Sequence, residues 1–99
     1  MIRIVKLTLD PEKLDDFIKH FDTVKNDINT FPGCLGMQLL TDKNKKGVVF
    51  TYSKWENEAA LENYRNSTLF QSIWPTVKQW FVAKPEASSS DIYFDGFSN

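Results

Sequence analysis

Apolar residues in this chain recur at every second position, then at every third and fourth, then at every second again, and the same change of period happens once more before the C-terminus. That order predicts a β-α-β-β-α-β chain. Residues 2–9 read as a strand with Val5, Leu7 and Leu9 on one face and Ile2 and Ile4 on the other. Asp10 followed by Pro11 marks a helix start, a capping carboxylate and then a proline where its missing N–H costs nothing. Leu14, Phe17, Ile18, Phe21, Val24 and Ile28 form one stripe of a helix that runs to about Thr30. Phe31-Pro32-Gly33 stops it. Residues 34–41 and 48–55 are two short apolar segments, joined as a hairpin by Asp42-Lys43-Asn44-Lys45-Lys46-Gly47. Asn57 caps a helix carrying Ala60, Leu61 and Tyr64; Ser67 caps another carrying Phe70, Ile73, Trp74, Val77, Trp80 and Phe81. Pro75 predicts a kink or a restart after Trp74. Residues 88–95, with Ile92, Tyr93 and Phe94, read as the last strand.

This order is the ferredoxin-like plan of the α+β class, a four-stranded antiparallel sheet with its helices on one face. At 99 residues, one domain spanning 1–99 with one core is expected. The other sheet face carries Ile2, Ile4 and one alternating set of residues 48–55, an apolar patch that soluble monomers seldom leave uncovered. A homodimer formed through the sheet faces is therefore expected.

Several partners and settings are disfavoured by composition. Twelve Lys and Arg against thirteen Asp and Glu leave a formal charge of -1, so nothing attracts nucleic acid or anionic lipid. The central strands also lack the Lys/Arg-Gly-Phe signature of RNA-binding sheets. The lysines near 43–46 read as a solvated turn. No secretory leader or run of ~20 apolar residues is visible, and a cytoplasmic location is expected. Cys34, the single cysteine, rules out an internal disulfide and a multi-thiolate metal site; it reads as a small apolar residue at a strand start. No metal site is expected. Nucleotide, hydrolase and paired-histidine zinc motifs are missing.

All three tryptophans lie between Trp55 and Phe81. Trp55, Tyr64, Phe70 and Trp74 are candidate walls of a substrate pocket, with Tyr64 and the indole N–H groups able to hydrogen-bond substrate oxygens. The same stripe also reads as packed core without a cavity. His20 is the only histidine, hence the natural candidate for proton transfer, yet its place at the edge of the first helix stripe equally suits boundary packing. Arg65 can steady a substrate oxyanion, or pair with Glu58, Glu62 or Asp91. His20, Tyr64 and Arg65 form the candidate catalytic set.

Phe31-Pro32-Gly33-Cys34 after the first helix, Tyr52-Ser53-Lys54-Trp55 ending the third strand, and Ala60-Leu61 through Tyr64-Arg65-Asn66-Ser67 to Phe70 together resemble the antibiotic biosynthesis monooxygenase domain of the dimeric α/β-barrel superfamily. The resemblance covers nearly the whole chain. It implies a dimer whose protomers each hold a cavity between sheet and helices. Some relatives oxidise polycyclic phenols or quinols with molecular oxygen and no cofactor, neither metal nor flavin, and some degrade haem. Matched to the haem-degrading branch, the position of the iron-ligating histidine falls on Trp74, that of the ring-distorting tryptophan on Tyr64, and that of the first-strand asparagine on Val5. Tryptophan cannot ligate iron as imidazole does, so haem chemistry by that route is not expected. Val5 joins the candidate substrate-binding residues. The resemblance implies a cofactor-independent monooxygenase acting on an aromatic phenol or quinol; the alternative is a non-catalytic dimer that binds a small aromatic molecule.

Overall fold

The computed structural model describes residues 1–97. Four strands form one antiparallel sheet: β1 (Ile2–Thr8), β2 (Cys34–Thr41), β3 (Val48–Trp55) and β4 (Glu86–Ser90), in the order β2-β3-β1-β4. Three helices, α1 (Leu14–Asn29), α2 (Glu58–Arg65) and α3 (Thr68–Lys78), complete the β-α-β-β-α-β plan with the second helical unit split in two. The fold is α+β and ferredoxin-like. Asp10 accepts the Glu12 N–H at 3.0 Å and opens a single 3-10 turn over Pro11–Lys13 before α1 begins. Asn57 accepts the Ala60 N–H at 2.9 Å and Ser67 the Phe70 N–H at 3.1 Å, so each short helix has a side-chain cap.

Two glycines hold the connections. Gly33, at φ +87°, turns the chain from α1 into β2 in a conformation that L side chains rarely adopt, and a Cβ there would strike Ala60. Gly47, at φ +94°, closes the β2–β3 hairpin, and its carbonyl accepts the Leu9 N–H at 2.8 Å. The lysine-bearing turn before it is exposed, with the Asp42 carboxylate accepting the N–H groups of Asn44 and Lys45 at 2.8 and 3.0 Å.

Register decides what each strand offers to either side, because residues directly opposite one another share a face. Val5 pairs with Thr51 and Ala87, Arg3 with Ser53 and Ser89, and Leu7 with Val49, so these face the helices. Ile2, Ile4 and Lys6 pair with Lys54, Tyr52 and Phe50 and face away. The main core joins Leu7, Leu9 and Val49 to Phe17 and Ile28 of α1 and to Ile73 and Val77 of α3. A smaller core gathers Trp55, Ala60 and Leu61, with Phe31, Cys34 and Tyr64 packed against it.

Three expectations are corrected. The last strand is Glu86–Ser90, not 88–95: Ser90 already pairs with Ile2, so β1 offers no partner further on, and Ile92, Tyr93 and Phe94 stand exposed despite their strand-like composition. Pro75 neither breaks nor restarts its helix. It lies on the exposed side of an unbroken α3, one turn after the equally exposed Gln71 whose carbonyl it leaves free. Trp80 and Phe81 lie beyond that helix, where Phe81 makes a lone bridge to Leu9.

Candidate functional site

Between the sheet and the helices lies a cavity of ≈ 360 Å³. Its floor is built from helix-facing strand positions, among them Thr51 and Ser53, whose short side chains leave space that longer apolar ones would take up. Phe17, His20, Phe21 and Val24 of α1 form one wall; Tyr64, Phe70 and Trp74 of α2 and α3 form the other. Val5 and Trp55 belong to the floor.

The second wall is a continuous ladder of rings. Trp55 and Tyr64 lie 5.2 Å apart between centroids, Tyr64 meets Phe70 edge-on at 5.3 Å, and Phe70 stacks on Trp74 at 5.5 Å with only 16° between their planes. Phe31 and Phe81 brace its two ends from outside the cavity. A ladder held by neighbours on both sides presents flat, preorganised faces, which suits a planar ligand. The expected wall residues and the expected core residues are thus the same side chains, packed on one side and lining a space on the other.

Trp55 is only 1% exposed, and its indole N–H donates to Ser53 Oγ at 2.9 Å. That donor is therefore engaged within the protein. Tyr64 differs: burial, and next to it the nearby Cys34, push its phenol pKa up to about 12, further still from neutral pH than the free side chain, so its hydroxyl keeps a proton it can offer to a ligand. His20 rests edge-on against Trp80 at 6.1 Å, and its Nε2 is buried with no hydrogen-bond partner. A buried imidazole nitrogen on a cavity wall without a protein partner is the kind of group a ligand satisfies. Arg65 lines the cavity and also reaches Glu62 at 3.5 Å on the exposed side of α2. Among the described residues no cluster of three or more His, Cys, Asp or Glu side chains is arranged to hold a metal ion.

The chain thus brings all seven candidate residues, Val5, His20, Trp55, Tyr64, Arg65, Phe70 and Trp74, to one cavity. Arg3, Thr51 and Ser53 were not among them. Their signal was present in the strand alternation, since Arg3 shares a face with Val5 and the two small polar residues share one with Trp55. Only pairing shows which of the two β3 faces meets the helices.

The family model for the antibiotic biosynthesis monooxygenases matches residues 1–74, and the chain belongs to that family. Among solved structures, one described as an antibiotic biosynthesis monooxygenase is similar at a TM-score of 0.85 and 18% identity, covering 93% of this chain and 98% of that one. A protein from Mycobacterium tuberculosis is similar at 0.85 and 13% identity with 96% of each chain covered. A conserved protein from Methanosarcina mazei Go1 is similar at 0.81 and 20% identity, with 88% of this chain and 87% of that one covered. At these identities the structures share the fold. No curated protein matches the chain.

Proposed function

We propose that this protein is a cofactor-independent monooxygenase that oxidises a planar phenol or quinol with molecular oxygen inside the aromatic cavity. The observation that carries the reading is the cavity itself, a space within the ~300–1,000 Å³ range of small-molecule sites and bounded by the Trp55–Tyr64–Phe70–Trp74 ladder. An electron-rich phenolate reduces oxygen by one electron without a metal or flavin, so the protein's tasks are to exclude water, orient the ring and manage a proton. For a phenol whose ring bears a CH2 group, the phenolate gives one electron to O2. The resulting radical and superoxide combine at that carbon as a C–OOH group, the CH2 having lost one hydrogen as a proton and the peroxide having gained it. Loss of water then leaves C=O, one oxygen atom in the product and the other in water. His20 Nε2 accepts the phenol proton in this scheme, and Tyr64 donates a hydrogen bond to the substrate oxygen as charge develops on it.

The open sheet face supports a homodimer formed face to face. Ile4, Phe50 and Tyr52 are half-buried at its centre and Leu40 is 44% exposed, while Lys6 and Lys54 flank them. Among the described residues no helix is long and apolar enough to cross a membrane. A cytoplasmic setting accords with the free Cys34.

Oxygen uptake tests the reading. Purified, metal-free protein should consume oxygen with hydroquinones or anthrone-like phenols faster than their autoxidation, with His20→Gln losing roughly 10²-fold or more and Tyr64→Phe roughly tenfold or more while each variant stays dimeric. Saturable binding of such compounds without any turnover would sink the enzyme reading and leave a small-molecule-binding protein.

A further inference from the structure

Among the described residues, the ionisable groups lining the cavity are Arg3, His20, Tyr64 and Arg65, and neither aspartate nor glutamate lines it. An apolar pocket with two guanidinium groups and no carboxylate is not neutral towards its guest. Arg3 occupies a helix-facing position on a central strand, where arginine is seldom found unless its charge is met. Its Nη1 donates to Ser89 Oγ at 3.1 Å, and the ion pairs among the described residues leave it out. Burial lowers its pKa, the Arg65 charge lowers it further, and Glu62 opposes both, so the two guanidinium groups stand within reach of each other's field. Among the described residues Arg65 pairs with Glu62, at 3.5 Å in an exposed pair of the weak kind. Glu58 and Glu62 line a shallow groove on the outer side of the same two arginines, so the acidic residues lie outside the cavity and the cations stand at its rim.

Resting on the oxygenase reading of this cavity and narrowing its substrate, we propose that the molecule held here is an aromatic carboxylate, its ring among Tyr64, Phe70 and Trp74 and its carboxylate between Arg3 and Arg65. The two arginines stand where β1 begins, β3 ends and α2 finishes, away from the wall that carries His20. A planar acid so placed is anchored at one end by charge-assisted hydrogen bonds that a guanidinium fork makes to both carboxylate oxygens. Its phenolic end is left for His20 and Tyr64. The anion also relieves the mutual repulsion of the arginines, so the site selects against neutral rings of the same shape.

The test is a binding comparison that needs no turnover. Quenching of tryptophan fluorescence by 6-hydroxy-2-naphthoate and by 6-hydroxy-2-naphthamide, whose hydroxyl lies at the far end of the ring system from the acid or amide, should show the acid binding at least tenfold more tightly. Arg3→Gln and Arg65→Gln should each remove most of that preference, read as the ratio of acid to amide affinity within the same variant. In the unaltered protein, raising the salt concentration should weaken the acid and spare the amide, which keeps the proposal open to refutation if Arg3→Gln does not fold. Equal affinity for acid and amide would overturn it while oxygen uptake with neutral quinols still upheld the oxygenase. No binding of either compound would overturn it as well, and the uptake assay would then judge the oxygenase reading separately.

Discussion

β3 serves two surfaces at once, and its alternate residues have opposite duties. Val49, Thr51, Ser53 and Trp55 face the helices; Val48, Phe50, Tyr52 and Lys54 face away. On the covered side the apolar residues Val49 and Trp55 stand at the ends, with two short polar residues between them. Val49 at 0% and Trp55 at 1% exposure are sealed into the two cores, whereas Thr51 and Ser53 leave the gap between them that is the cavity. On the open side the order is reversed: the aromatic pair Phe50 and Tyr52 is central. One strand thus supplies a cavity on one side and an aromatic-rich open face on the other by the choice of which positions are bulky. Packing tolerates the gap because the ring ladder on one wall and the Phe17–Phe21 stack at 6.3 Å on the other are each held by their own neighbours.

The sharpest way to break this contrast is Trp55→Ala, which empties a filled end of the covered side. It should cost about 3 to 5 kcal/mol of stability in urea denaturation, the range for large aromatic truncations in cores. On the open side Phe50→Glu should leave the protomer folded but raise the dimer dissociation constant roughly a hundredfold, about 1.4 kcal/mol from each of two symmetric copies; analytical ultracentrifugation decides it. A monomeric parent protein would refute the interface outright.

Tyr64 gives a smaller effect with a definite sign. Its folded pKa lies near 12 against 10.0 for the free side chain. Between those values the unfolded chain has lost the proton and the folded chain keeps it, so the unfolded state binds fewer protons and stability falls as pH rises. The loss should approach about 2 kcal/mol and be missing in Tyr64→Phe, when both are denatured over this range. Ser53→Ala should be milder. It strands the buried Trp55 N–H and should cost about 1 kcal/mol or slightly more, with a matching drop in denaturation midpoint at unchanged slope; no loss would mean that the 2.9 Å bond is not what orients the indole.

Local chemistry made much of the architecture legible. The caps at Asp10, Asn57 and Ser67 act where their residue types imply, because a side-chain oxygen beside free N–H groups is a short-range preference that needs no tertiary partner. The C-terminus was misread for the converse reason. Ile92, Tyr93 and Phe94 have every local mark of a strand, but strand pairing ends where Ile2 meets Ser90. Pro75 shows the same limit, since whether a proline ends a helix depends on what surrounds the freed carbonyl, and here α3 runs on through it. For the site, the aromatic residues announced themselves by density, while Arg3, Thr51 and Ser53 looked like ordinary polar positions in strands.

From the order of its residues alone this chain determined its alternation of strands and helices, the stops between them and a supply of aromatic rings on the second helical unit, all consequences of interactions within a few residues. The third dimension decided which face of β3 meets the helices, that the rings stop short of closing over Thr51 and Ser53, and that Arg3 and Arg65, sixty-two positions apart in the chain, stand at one rim. These depend on register and on the fit of elements against each other, and no short window of sequence contains either.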